Sequence, residues 1–170
     1  YHKGDPHEES VHVPLVAAGP GVAAGHRTDA LVTLADLLPT LCAVADIDVP
    51  EGVQGQDRSA HLRGEDAAGA DAVYLEGSLA DDEMWRAVRT DDHLLVVDRH
   101  LDTTHLYDTV ADPYQTENLA GDPAHADLAA ALRERLFDLA VEYDDREILA
   151  RYSRQYVAGE DGDPLPDPRE

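Results

Sequence analysis

The sequence predicts an α/β chain in two parts, and three observations lead to this fold class. In the first part a short strand-like run is followed by a helix, as in a piece of a larger α/β sheet. In the second part four short strand-like runs lie close together with turn signals between them, which is typical of an antiparallel sheet. An apolar stripe with helical spacing follows between Pro123 and Tyr143, and it predicts one helix that covers this sheet.

The first part begins with the run from Val11 to Ala17, in which Val13, Leu15 and Val16 are apolar. We predict a strand here. Because Pro14 has no N–H to donate, this strand is expected at an edge of a sheet.

A helix is predicted to follow, ending at Ala45 and beginning after Thr33 or Asp36, both of which are favourable N-cap residues. With Asp36 as the cap, Pro39 falls in the first turn, where its missing N–H costs little. A shorter helical turn is predicted over Ser59 to Arg63, ended by the glycine that follows it.

The second part contains the sheet and its helix. The predicted strands are Ala72 to Glu76, Trp85 to Thr90, His93 to Asp98 and Thr104 to Tyr107. Asp91 and Asp92 supply a two-residue turn between the second and the third strand. The helical stripe consists of Leu128, Leu132, Leu136, Leu139 and Ala140. Asp122 is the expected N-cap, since it directly precedes a proline.

These elements divide the sequence into residues 1–64, a piece of an α/β domain, and residues 72–145, the antiparallel sheet with its helix. Residues 159–170 contain Gly, Pro and acidic residues without periodicity, so we predict a disordered acidic tail. Because the first residue is Tyr and not Met, we expect the chain to be cut out of a longer protein.

The net charge is −23, with 36 acidic and 13 basic residues spread along the whole length. Such a field repels nucleic acids and anionic membrane surfaces, which excludes them as expected partners. A strongly acidic chain with a single lysine fits a protein of concentrated salt, where the Debye length falls to about 3 Å.

The compartment is predicted to be cytoplasmic, because the sequence shows no signal-peptide pattern and no apolar run long enough to cross a bilayer. The single cysteine, Cys42, excludes an internal disulfide and fits a reducing compartment. Since it lies among apolar residues of a helical stretch, we interpret it as a small buried hydrophobe.

Histidines and paired carboxylates near the start were considered as a metal site. His2, His7 and His12 lie five residues apart, which matches neither one helical face nor one strand face, so no cluster is predicted. Glu8 and Glu9 could ligate a cation or act in acid–base chemistry, but solvated carboxylates are the default interpretation in so acidic a chain.

Lys3 is the one lysine among the 13 cationic residues. A lysine ammonium is a compact point charge that suits a single oxyanion oxygen, whereas arginine presents a planar fork. The simplest interpretation is a solvated surface lysine. The functional interpretation is contact with an anion, and the surrounding sequence favours it.

Several strings of the sequence resemble the C-terminal part of sulfatases, which belong to the alkaline-phosphatase-like superfamily. They occur in one order, from Lys3 to Glu117 and beyond. The strings are Lys3 to Leu15 (KGDPHEESVHVPL), Gly19 to Gly21 (GPG), Asp36 to Leu41 (DLLPTL), Val53 to Asp57 (VQGQD), Arg86 to Thr90 (RAVRT), Leu106 to Pro113, and Glu117 to Ala120 (ENLA).

The resemblance implies that residues 1–64 are the C-terminal piece of the sulfatase α/β catalytic domain and that 72–145 form its C-terminal subdomain. In this family the lysine that matches Lys3 contacts the sulfate, so Lys3 is implied to be catalytic and, with His2, to bind the substrate. Two departures concern His12, where the family commonly has arginine, and His7, where it commonly has an aromatic residue.

Sulfatases hydrolyse sulfate esters with a formylglycine, made from Cys or Ser in a Cys/Ser-x-Pro-x-Arg motif, and with a divalent cation, usually calcium. That motif does not occur in this sequence. The resemblance therefore implies that the nucleophile and the metal ligands precede Tyr1, that none of these residues binds the metal, and that the fragment alone is inactive.

The implied function is hydrolysis of a small-molecule sulfate ester by the parent protein. One alternative is a phosphonate or phosphate monoester hydrolase of the same superfamily. Another is a non-catalytic acidic interaction module. The alcohol carried by the sulfate and the oligomeric state are left open by the sequence.

The charge distribution predicts that KCl stabilises the chain. Raising KCl from about 0.1 M, where the Debye length is about 10 Å, to molar concentration should raise the melting temperature, because screening reduces repulsion between the acidic residues. Thermal unfolding of the chain across this series measures the effect. A melting temperature that stays constant would contradict adaptation to salt.

Overall fold

The computed structural model describes residues 4–77 and 84–153. The helices are α1 (Glu8–Val11), α2 (Leu37–Ala45), α3 (Ser59–Leu62), α4 (Ala126–Glu142) and α5 (Arg146–Tyr152), and the strands are β1 (Ala72–Gly77), β2 (Trp85–Thr90), β3 (His93–Asp98) and β4 (Thr103–Asp108). Short 3-10 turns, Leu34–Asp36 and Pro123–His125, lead into α2 and α4. Among these residues no helix combines the length and apolar character needed to span a membrane.

The described residues form two compact units. The first, which we call the helix unit, is His12–Val73. The second, the sheet unit, contains residues 4–11 together with 74–77 and 84–153. Residues 4–11 thus cluster with the sheet, although the sequence grouped them with residues 1–64. The predicted acidic tail, residues 159–170, lies outside the described residues.

The four predicted strands are confirmed, with ends that differ by at most one residue. They lie in the order β1-β2-β3-β4, so every strand neighbours the next one in the sequence. β2 and β3 are antiparallel, with Ala87 opposite Val96. β3 and β4 are antiparallel as well, with Leu94 opposite Tyr107 and an irregularity between Val96 and Val97.

Both faces of the sheet are covered. Leu94, Leu95, Val96 and Val97 of β3 are all fully buried, although successive residues of a strand point to opposite faces. On one face, Leu94 and Val96 form a buried cluster with Ala87 and Tyr107. The other face of β2 presents Arg86, which binds the connection between α4 and α5, and α4 packs against β2 and β3.

Helix α4 confirms the predicted helix and its cap. The Asp122 carboxylate accepts a hydrogen bond from the Ala124 N–H at 2.9 Å, and the first predicted turn is a 3-10 turn. Of the predicted stripe, Leu128 is half-buried and the other four residues are buried. Phe137 is buried with them, which broadens the apolar face.

The predicted strand from Val11 to Ala17 is wrong. Residues Glu8–Val11 form the short helix α1, and the chain after it has no regular structure. A strand is stable only beside a hydrogen-bonding neighbour, and the sheet formed by the described residues does not include this run. Val16 accordingly remains 90% exposed.

Helix α5 was not predicted, although its start carries a sequence signal. Asp145 is the N-cap, and its side chain accepts hydrogen bonds from the N–H groups of Glu147 and Ile148. A seven-residue helix contains too few apolar positions for a periodic pattern to stand out. Its formation depends on the cap and on the burial of Ile148.

In the helix unit, the buried carboxylate of Asp36 organises the start of α2. It accepts hydrogen bonds from the Thr33 N–H at 3.0 Å and from the Gln56 N–H at 2.8 Å. Thr33 precedes the 3-10 turn and Asp36 precedes α2, so both proposed caps occupy a helix start. Pro39 lies in the first turn of α2, as predicted.

The loop containing Gly55 packs closely against this helix start. A Cβ atom at Gly55 would lie 2.0 Å from the carbonyl oxygen of Ala35, so no other residue fits without displacing the backbone. This approach allows the Gln56 N–H to reach Asp36. Two of the family-like strings, DLLPTL and VQGQD, are therefore in direct contact.

A buried ion pair joins β2 to the α4–α5 connection. Arg86 Nε donates to Asp145 Oδ2 at 2.5 Å, and the two side chains are 5% and 9% exposed. The Tyr74 hydroxyl donates to the same oxygen at 2.8 Å. Burial alone would raise the pKa of Asp145, but the hydrogen bonds from Arg86, the Ile148 N–H and Tyr74 outweigh it and hold this pKa below 3.8.

Replacing Asp145 by Asn is expected to lower the free energy of unfolding by about 3 kcal/mol at pH 7, because the buried Arg86 guanidinium loses its one buried counter-charge. The carboxylates of Glu76 and Glu147 remain 3.8 and 3.6 Å from Arg86, but both are exposed to solvent and both distances are longer than a hydrogen bond. The double variant R86M/D145N should lose less than the sum of the single changes, since no lone charge remains. Urea unfolding measures both. The exposed pair Arg63–Glu65 provides the control E65Q, which should be close to neutral.

The same pair predicts a pH dependence with a defined sign. The folded-state pKa of Asp145 is lowered, so its contribution is complete above the unfolded-state value near 3.8 and disappears as the pH falls through the folded-state value. The difference between wild type and D145N should therefore narrow below about pH 4. A difference that stayed constant down to the acid transition would contradict this assignment.

Candidate functional site

The predicted substrate-binding residues His2 and Lys3 lie outside the described residues, so their roles stay predictions. The structure does describe the chain from Gly4, the residue directly after Lys3. Residues 4–11, which we call the docked segment, belong to the sheet unit and contact its strands. This segment is therefore the described part of the chain that is nearest in sequence to the candidate residues.

The start of the docked segment is held by a tryptophan of β2. Trp85 Nε1 donates to the carbonyl oxygen of Gly4 at 2.5 Å. The indole lies against Gly77 at the end of β1, where a Cβ atom would come within 2.2 Å of the ring. The indole lies so close that only glycine fits at position 77. Because Trp85 binds the Gly4 carbonyl, a larger residue at position 77 would also affect the position of Gly4.

The next contact is an ion pair. Arg89 Nε donates to Glu8 Oε1 at 2.8 Å, and the side chains are 16% and 19% exposed. The N–H of Glu8, at the start of α1, donates to Gln115 Oε1, also at 2.8 Å. The default interpretation of a solvated carboxylate does not hold for Glu8, whereas Glu9 is exposed.

Gln115 is presented by a well-connected loop after β4. Its N–H donates to the carbonyl oxygen of Asp112 at 3.0 Å. The side chain of Asn118 bridges to β4, accepting from the Leu106 N–H at 3.0 Å and donating to the Thr104 carbonyl at 2.9 Å. The family-like string ENLA therefore acts structurally, by fixing the loop that carries Gln115.

An imidazole–phenol cluster joins the docked segment to β4. The His7 ring is edge-on to that of His105 with centroids 5.7 Å apart, and His7 Nε2 is 3.4 Å from the Tyr107 hydroxyl. Burial, and then the nearby His7, lower the pKa of His105. Burial, followed by the charges of Asp112 and Asp5, raises the pKa of Tyr107. His7 thus packs against the rings of His105 and Tyr107.

The described residues do not form a metal centre. In residues 4–77 and 84–153, no three His, Cys, Asp or Glu side chains are arranged to hold a metal ion. Cys42 is buried and free, in agreement with its interpretation as a small hydrophobe.

Sequence reasoning missed Trp85, Arg89 and Gln115 as site residues. Arg89 lies in the family-like string RAVRT, but its partner Glu8 is 81 residues away, and Gln115 is 107 residues from Glu8. Neither pairing has a periodic signal. Trp85, Arg89 and Gln115 come together only when β2 and the loop after β4 fold around the docked segment.

The sequence and the fold are similar to those of several known proteins. The sequence matches the family described as N-sulphoglucosamine sulphohydrolase, C-terminal, over residues 1–142. It is 30% identical over 176 residues to an ulvan-active sulfatase of Formosa agariphila, covering 94% of this chain and 33% of the relative. It is 31% identical to a Δ4,5-hexuronate-2-O-sulfatase of Bacteroides thetaiotaomicron, covering 82% of this chain and 30% of the relative.

Solved structures agree with these matches. A 2-O GAG sulfatase has a TM-score of 0.65 and 29% identity, covering 89% of this chain and 32% of that one. A phosphonate monoester hydrolase from Silicibacter pomeroyi, with a TM-score of 0.64 and 23% identity, shares the fold. The predicted fold class is confirmed, and the chain spans about a third of the length of the curated relatives it matches.

Replacing Gly77 by Ala is expected to displace the Trp85 indole and release Gly4, because the new Cβ would overlap three ring atoms. Trp85 is the only tryptophan of the chain, so its emission reports the change directly. We expect a shift of the emission maximum to longer wavelength. The control is Gly19→Ala, since a Cβ at Gly19 meets nothing within 4 Å. Identical spectra for G77A and the wild type would contradict the assigned packing.

Proposed function

Because the chain belongs to the N-sulphoglucosamine sulphohydrolase C-terminal family, we propose that it is the C-terminal part of a sulfatase that hydrolyses sulfate esters. The observation that carries this proposal is the extent of the family match. It spans residues 1–142 and so includes Lys3, the docked segment and almost the whole sheet unit. The identity to two curated sulfatases, at 30% and 31%, supports the same activity.

In this proposal Lys3 is the catalytic residue that the chain contributes, and it binds the sulfate together with His2. A fixed ammonium group beside the transferring group offsets the negative charge that builds on its oxygens and on the leaving oxygen. The compact charge of lysine suits one oxygen, which gives a reason for one lysine in a chain with twelve arginines.

The substrate is proposed to be a sulfated sugar. The relatives are described as acting on ulvan and as a hexuronate-2-O-sulfatase. A sulfated, uronate-containing carbohydrate is therefore the substrate class to test first. We further propose that the enzyme works in concentrated salt, which the net charge of −23 supports.

The nucleophile and the cation are proposed to belong to the part of the protein that precedes this chain. Formylglycine would supply the attacking oxygen, and a divalent cation, which we take to be calcium, would bind the sulfate oxygens. The chain itself would contribute Lys3 and the sheet that holds the residues after it.

In the full-length protein, replacing Lys3 by Ala should lower turnover of an aryl sulfate at least about tenfold, or about 1.4 kcal/mol of transition-state stabilisation. Arg27→Ala, which removes an exposed cation, is the matched control and should leave turnover unchanged. Sulfate release from a sulfated uronate oligosaccharide is measured in parallel. Equal kinetics for wild type and K3A would remove Lys3 from the site.

The same enzyme preparation distinguishes sulfate esters from phosphorus esters. The proposal predicts a larger kcat/KM for an aryl sulfate than for the matching aryl phosphonate monoester. A reversed preference would replace the sulfatase by a phosphonate ester hydrolase.

A further inference from the structure

Three contacts hold the docked segment, and all of them lie between one and five residues after Lys3. They are the Gly4 carbonyl bound by Trp85, the Glu8 carboxylate bound by Arg89, and the Glu8 N–H bound by Gln115. Gly4 directly follows Lys3 in the sequence, and consecutive Cα atoms are about 3.8 Å apart. The sheet thus holds the backbone next to the proposed catalytic lysine.

The Glu8–Arg89 pair differs from the ion pairs on the surface. Both of its side chains are more than four-fifths buried, whereas Arg63 and Glu65 are 47% and 54% exposed. A partly buried pair is screened less by salt, and its hydrogen bond is charge-assisted. Since Arg89 is on an inner strand of the sheet, its guanidinium has a rigid support.

Gln115 adds a second restraint on the same residue. Its backbone adopts φ = 53°, in the left-handed region that residues other than glycine rarely occupy. Such a conformation persists only where the surroundings determine it. Here it directs the side-chain oxygen to the N–H of Glu8. The backbone and the carboxylate of Glu8 are therefore both held, by different elements.

We propose that Glu8, Arg89 and Gln115 are positioning residues for Lys3. They determine where the backbone leaves the sheet and, through it, where the ammonium group meets the sulfate. The inference rests on the proposed function, since it has content only if Lys3 contacts the sulfate. Placement matters because a misplacement of about 1 Å can cost about 10²-fold in rate.

A purely structural role for the same contacts makes a different prediction. Loss of a structural contact would lower the melting temperature, and it would change kcat by the same factor whether or not the lysine is present. Loss of a positioning contact lowers kcat in the folded enzyme, and the loss disappears once the lysine itself is removed. A double-mutant cycle separates the two roles.

The experiment compares the wild type, E8Q, K3A and K3A/E8Q in the full-length enzyme with a saturating aryl sulfate. We expect E8Q to lower kcat at least about tenfold with KM within about twofold, and to change kcat less than about twofold in the K3A background. R89K retains the positive charge but loses the planar guanidinium group, so its kcat should fall between those of the wild type and R89M. E65Q breaks the exposed Arg63–Glu65 pair, which has the same two residue types, and its kcat should equal that of the wild type.

The outcomes are distinct. If K3A is impaired and E8Q is not, the positioning role is wrong and the proposed function stands. If E8Q lowers kcat equally with and without Lys3, the contact is structural and the inference is overturned. If K3A has wild-type kinetics, the proposed role of Lys3 is wrong, and the positioning role that depends on it is overturned as well.

A second variant keeps the test valid if E8Q does not fold. Gln115→Asn tolerates the left-handed backbone but is too short to keep the same hydrogen bond to the Glu8 N–H. It enters the same cycle with K3A and is judged by the same criterion. Its melting temperature should stay near that of the wild type, because the charged pair of Glu8 with Arg89 is intact.

Discussion

The sheet unit depends on one constraint, which is that both faces of its sheet are apolar and must be covered. The inner strand β2 meets this constraint with two arginines of opposite orientation. Arg86 binds Asp145 and so holds the α4–α5 connection on one face, while Arg89 binds Glu8 and so holds the docked segment on the other. Each cover is thus joined to the sheet by a carboxylate that is largely removed from water.

Helix α4 and the docked segment, which cover opposite faces of the sheet, differ in what they contribute. Helix α4 adds a broad apolar face, and its contribution is stability. The docked segment is only eight residues long, and it is held mainly by directed contacts to its backbone and to one carboxylate. Directed contacts define a position more sharply than apolar packing does, which suits a segment that follows the proposed catalytic lysine.

Several family-like strings of the sequence are explained by structure rather than by chemistry. DLLPTL places the buried Asp36 at the start of α2, and VQGQD supplies the glycine and the N–H that pack against it. ENLA fixes the loop that presents Gln115. Each of these strings satisfies a local requirement of backbone geometry or hydrogen bonding.

The strands, the helix α4 with its Asp122 cap, and the family could all be predicted from the sequence, because local periodicity, capping and short motifs are properties of neighbouring residues. It failed for the run from Val11 to Ala17, where strand formation depends on a neighbour that the sequence does not specify. The pairing of Glu8 with Arg89 and Gln115, and that of Asp145 with Arg86, could be found only from the folded chain. These contacts join residues that are between 59 and 107 positions apart, so they arise from folding and have no local pattern.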